Sequence, residues 1–95
     1  MEIVLAEYAL AAPGGAQTYV LTLAEHLQRL GHGVTVFTVE DGGFAEHMRE
    51  RGIRVVGRED LPDACDAIVA QDGVCAYELA VRYPRVPQAF VMHSA

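Results

Sequence analysis

At 95 residues the chain has room for one domain, and a domain of that size buries only a modest fraction of its surface. Hydrophobic residues make up 52% of it, while 13 acidic residues stand against seven arginines and no lysine, for a net charge of −6. Arg49, Arg51, Arg54 and Arg58 are interleaved with Glu50 and Glu59, so no basic stripe forms, which argues against a nucleic-acid partner.

Ile3-Val4-Leu5-Ala6 is a continuous apolar run, the pattern of a strand buried on both faces. Ala9 to Gly15 breaks it, and Pro13-Gly14-Gly15 reads as a loop. From Ala16 to Leu30 the period changes: Val20, Leu23, Ala24, Leu27 and Leu30 recur at three- and four-residue steps, with Thr18, Thr22, Glu25 and Arg29 opposite. That is an amphipathic helix, and Gly31 suits the left-handed residue just past its end. Val34 to Val39 is a β-branched second strand, and Glu40 to Gly43 a turn. Phe44 to Arg51 is a short helix stopped by Gly52. Ile53 to Val56 is a third strand, placed near a sheet edge because Arg54 interrupts it. Gly57 to Ala64 is irregular, with a turn of helix near Leu61. Asp66 to Ala70 is a fourth strand, Val74 to Tyr83 a helix bracketed by Pro84 and Pro87, and Gln88 to Met92 a fifth strand.

Alternating strands and helices with crossover-length connections predict an α/β domain with an open parallel sheet in the order 3-2-1-4-5. Its last strand lacks a covering helix, which suggests a truncated domain. It also leaves Phe90 and Val91 at an open edge that invites self-association. Glu2 follows Met1 with no basic leader, and no apolar stretch approaches the ~20 residues of a membrane span. The expected location is cytoplasmic, with peripheral membrane contact left open. Cys65 and Cys75 have no second thiol or histidine at metal-ligand spacing and read as small buried thiols.

Three constellations fall where parallel strands open onto a crevice. In Pro13-Gly14-Gly15-Ala16 the glycines let backbone approach a ligand, and the following helix offers unpaired N–H groups to an anion or a sugar hydroxyl. The alternative is that Gly14 and Gly15 only make the turn. The loop lacks the third glycine of a dinucleotide fingerprint, although Glu40 stands where a ribose-binding acid would, and without a lysine there is no phosphate-binding P-loop; no cofactor is expected. His93, just beyond the fifth strand, is the candidate catalytic residue, able to donate a hydrogen bond or act near neutral pH, or is simply a terminal surface histidine. In Gln71-Asp72-Gly73, Asp72 either binds ligand or caps the next helix. Glu7 and Tyr8 end the first strand at the same rim, where Glu7 accepts from a sugar hydroxyl or ties down the glycine loop. His26, His32 and His47 read as ordinary turn or surface residues.

Gly14-Gly15-Ala16-Gln17 with Leu23-Ala24, then Leu30-Gly31-His32-Gly33-Val34-Thr35-Val36, resembles the N-terminal half of the retaining, nucleotide-sugar-dependent enzymes of glycosyltransferase family four. These have two Rossmann-like domains, the GT-B arrangement, and open with a strand, a G-G-x-E/Q loop, an amphipathic helix and G-H-x-V-x-V. Asp66 to Ala70 and Val86-Pro87 through Val91-Met92-His93-Ser94 resemble their fourth and fifth strands, with Met92 where a threonine often precedes the histidine. The resemblance implies a nucleotide-sugar donor and a hydroxyl acceptor as partners. It places Gly14, Gly15 and Ala16 between acceptor and donor diphosphate, and His93 near the donor sugar. The family's C-terminal domain, with its E-x(7)-E-like motif, has no counterpart here, so these 95 residues alone are expected to transfer no sugar. The rival reading is a small non-enzymatic flavodoxin-like binding or assembly module.

Overall fold

The computed structural model describes residues 1–91. Its elements are β1 (Glu2–Ala6), α1 (Gly15–Arg29), β2 (Gly33–Phe37), α2 (Gly43–Glu50), β3 (Arg54–Val56), a 3₁₀ turn (Arg58–Asp60), β4 (Ala67–Ala70), α3 (Gly73–Arg82) and β5 (Gln88–Phe90). The strands form one sheet in the order β3-β2-β1-β4-β5, every pairing parallel. This is the expected Rossmann-like order. It departs from the flavodoxin order, in which the third strand lies beside the first.

Alternation along the strands builds two cores. Ile3 and Leu5 of β1 pack with Val34 and Val36 of β2 beneath Val20 and Ala24 of α1 and Phe44, Ala45 and Met48 of α2. Val4 and Ala6 face the other way, with Phe37, Ile68 and Ala70, beneath Cys75, Leu79 and Tyr83 of α3 and its exit. A strand covered on both faces needs apolar side chains at odd and even positions alike, hence the unbroken Ile-Val-Leu-Ala. Leu30, expected on the buried stripe of α1, is 61% exposed. It is the C-cap, and its N–H is shared between the His26 and Leu27 carbonyls. That tighter last turn takes it off the 3.6-residue stripe.

β2 is shorter than the expected Val34 to Val39. Thr38 still donates its N–H to Val56, but its hydroxyl and the Val39 N–H turn to the Tyr8 carbonyl, joining the loop after β1. The irregular stretch after β3 holds its helical turn at Arg58–Asp60, just ahead of Leu61. β5 ends at Phe90, which is 49% exposed on an edge strand, and Met92 lies outside the described residues. No described helix is long and apolar enough to cross a membrane.

α1 and α2 end in the same motif. Gly31 (φ +93°) donates to the Gln28 carbonyl and His32 to Leu27, while Gly52 (φ +85°) donates to Arg49 and Ile53 to Met48. Both are Schellman closures, and Ile53 and Met48 supply a hydrophobic contact in the second. At these φ values a Cβ is strained although it would meet no neighbour. Gly31→Ala and Gly52→Ala should therefore each lower the unfolding free energy by about 1–2 kcal/mol in urea titrations. Gly57→Ala, at φ −91° with nothing near its Cβ position, should shift the midpoint little.

Candidate functional site

The strand order reverses its direction of travel at β1. The chain leaving β1 crosses through α1 toward β2, whereas the chain leaving β4, on the other side of β1, crosses through α3 toward β5. The loops at the carboxyl ends of β1 and β4 thus diverge and leave a crevice, where open α/β sheets bind ligands.

The loop after β1 is anchored before it becomes free. Glu7 donates its N–H to Phe37, and Leu10 donates to Glu40 and accepts from Ala45. Leu10 is fully buried. Gly42 permits this: a Cβ there would sit 2.7 Å from the Ala11 Cα, so only glycine lets the two loops close up. In the sequence Gly42 reads as part of a turn; its close approach is visible only with both loops in place. Beyond Leu10, residues 11–15 are exposed.

Gly14 is the N-cap of α1, in extended backbone (φ −172°) that any residue adopts, so the glycine pair is not there for left-handed geometry. A Cβ on Gly15 would meet nothing within 4 Å, whereas one on Gly14 would strike the Gln17 Oε1 at 2.6 Å. Gln17 folds back over Gly14 and donates Nε2 to the Ala9 carbonyl at 3.0 Å, pinning the loop. No side chain caps α1 and no acidic residue occupies its first turn. The leading N–H groups at Gly15, Ala16 and Gln17, which lack intrahelical acceptors, are left to water or a ligand together with the helix's positive end.

Across the crevice, Gln71 at the tip of β4 donates Nε2 to the Ala16 carbonyl at 3.3 Å, tying this tip to the first turn of α1. Asp72 is the N-cap of α3, its Oδ1 accepting from the Cys75 N–H at 2.8 Å. The capping alternative for Asp72 is thus realised. Its Oδ2 is buried with no hydrogen-bond partner among the described residues. Glu7 is buried at the end of β1. The fold therefore gathers Glu7, Gly14, Gly15, Ala16 and Asp72 at one rim of the sheet. His93 lies outside the described residues.

Between the β1 loop and α2 runs a groove of about 460 Å³ lined by Ala11, Ala12, Pro13, Gly43, Phe44 and His47. The Phe44 and His47 rings are tilted by 45° with centroids 5.7 Å apart. His47, an ordinary helical residue by sequence, thus joins the neighbourhood of the glycine loop because it stands one turn beyond Phe44. His32 lies at the opposite end of the sheet, against the amino group of Met1.

The thiols are not poised for chemistry. Burial, then the hydrogen bond to Asp72 and the negative charges of Asp72, Glu7 and Glu78, push the Cys75 thiol far above its ordinary range. Burial likewise raises Cys65. No group of three metal-ligating side chains gathers among the described residues.

A family model described as Glycosyltransferase Family 4 matches residues 13–83, from the glycine loop to the end of α3. No curated protein and no solved structure matches the chain.

Because the folded Cys75 holds its proton more tightly than an unfolded thiol, its contribution to stability is fully present below the ordinary thiol value of about 9 and is lost as pH rises above it. Urea midpoints should fall between pH 8 and about 10.5 more steeply in the native chain than in Cys75→Ala. The buried thiol should also resist iodoacetamide at pH 8 until the chain unfolds.

Proposed function

This chain belongs to glycosyltransferase family 4, and from that premise we propose that it forms the N-terminal, acceptor-side Rossmann-like domain of a retaining sugar-transfer enzyme. A hydroxyl of the acceptor forms the new bond to the anomeric carbon of a nucleotide-activated sugar. The bond from that carbon to the diphosphate breaks, and the hydroxyl's proton leaves with the departing group or to solvent. Negative charge grows on the diphosphate, and preorganised N–H donors are the economical way to meet it. A second Rossmann-like domain holds the nucleotide, so the present domain by itself transfers no sugar, and closure between the two excludes water.

The observation that carries this reading is the uncapped start of α1: exposed glycines, empty space at the Gly15 Cβ position and no acid in the first turn. Gly15, Ala16 and the amide that follows supply this domain's donors to the diphosphate. Gly14 serves by leaving room for Gln17, which fixes the loop. Glu7 is assigned to a sugar hydroxyl at the rim. Asp72, with one oxygen committed to α3, contributes at most its second oxygen. His93, following β5, is assigned to the donor sugar on family resemblance. The exposed Phe90 on the β5 edge supports a further expectation, pairing with a second copy or with apolar surface of the companion domain.

Titration of the isotope-labelled chain with nucleoside diphosphates should shift the amides of Gly15, Ala16 and Gln17. Gly15→Asp, which sets a negative charge among those donors, should weaken binding at least about threefold, and Thr22→Asp on the exposed side of α1 should not. Silence at those amides, or equal effects of the two variants, overturns the reading. Sedimentation should show concentration-dependent dimers that Phe90→Lys abolishes; a clean monomer at high concentration overturns the edge pairing.

A further inference from the structure

From Ala9 to Ala16 no residue carries a polar side chain, and residues 11–15 within that run are exposed. Loops normally place polar residues at such positions, and a run of exposed residues without them marks a contact surface. The run forms one wall of the groove described above, and Phe44 and Gly43 at the start of α2 form the other. Among the lining residues only His47 offers a side-chain hydrogen bond, and no charged side chain lines the groove.

These features differ from what a polyhydroxylated ligand requires. A sugar ring carries hydroxyls around its whole edge, and seating them against a wall without hydrogen-bond partners is unfavourable. Carboxylates and carboxamides are the usual partners, and none lines this groove, while Gln17, at the start of α1, has its Nε2 committed to Ala9. A wall of methyl groups, a proline ring and a phenyl ring, with one imidazole, instead suits a ligand with an apolar body and a single hydroxyl. The volume of about 460 Å³ lies in the range of small-molecule sites.

Resting on the sugar-transfer reading, we propose that the groove seats the acceptor and that the acceptor is an alcohol or phenol whose body is apolar, not a carbohydrate. Pro13 leads directly into Gly14 and Gly15, so a body lying along Ala11, Ala12 and Pro13 extends its hydroxyl toward the start of α1. The groove and the crevice assigned to the donor diphosphate thereby lie against the same glycine loop. His47 is the candidate partner for the hydroxyl of a body seated deeper.

The test titrates the isotope-labelled chain with para-alkylphenols from methyl to pentyl, with maltose, and with lipid vesicles, reading amide shifts at Ala11, Ala12, Gly43 and His47. The expected result is saturable shifts with the phenols, the Kd falling about three- to fourfold per added methylene, and none with maltose. Ala12→Glu should weaken the phenols at least tenfold, and His47→Glu on the facing wall serves as the second variant. Shifts with maltose alone, a Kd indifferent to chain length and to both variants, or a response only to vesicles overturns the proposal. Nucleoside diphosphate is added to the same samples. A response at Gly15 and Ala16 without a phenol response overturns the groove assignment and leaves the sugar-transfer reading standing. Phenol binding without a nucleotide response overturns that reading and, with it, the groove's role as an acceptor seat.

Discussion

β1 is enclosed on every side: β2 and β4 take its backbone hydrogen bonds, α1 and α2 cover one face, and α3 covers the other. The only direction in which chain can leave such a strand is along its axis, and the crossovers on its two sides run in opposite directions. The crevice at its carboxyl end is a consequence of that packing. Glu7, the glycine loop and Asp72 share one rim because each follows a strand that β1 holds in register, with Ala6 level with Ala70 on one side and Phe37 on the other.

The three helix starts above this sheet are finished differently. α3 is closed by the Asp72 carboxylate, whereas α1 and α2 begin at glycine N-caps with no side-chain capping hydrogen bond. An N-terminal turn exposes donors that water satisfies adequately, so leaving a start uncapped forgoes about 1 kcal/mol of local stability. At α2 the reason is steric, because Gly42 lets the Ala11 backbone close in. At α1 the N-cap Gly14 leaves room for Gln17, but no neighbour demands a glycine at Gly15, the first residue of the helix. The glycines past the helix ends, Gly31 and Gly52, are a third kind, chosen for backbone conformation alone.

The acidic surface is clipped by arginines that spend their charge within the domain. Arg51 pairs with Glu25 between α2 and α1, Arg58 with Glu78 between the 3₁₀ turn and α3, and Arg49 with Asp41 while also reaching the Val55 carbonyl. Exposed pairs of this kind contribute little individually. Their larger consequence is that these guanidiniums are occupied, and none of them lines the groove, so contact there depends on apolar packing.

The sequence by itself determined the sheet class, the element order and the helix ends. Unbroken apolar runs require strands covered on both faces, a 3.6-residue stripe requires a helix on a sheet, and a glycine after such a stripe closes it in the left-handed conformation. All of these are properties of neighbouring residues, and they include the G-G-x-Q and G-H-x-V-x-V spacings that carry the family likeness. Only the tertiary structure decided which residues meet: Gln71 with Ala16, Gln17 folded over Gly14, Gly42 against Ala11, and His47 beside the glycine loop. Those contacts join segments that are distant along the chain, or depend on which face of a helix a loop approaches. Periodicity fixes a residue's side within its own element but not what the fold brings up against it.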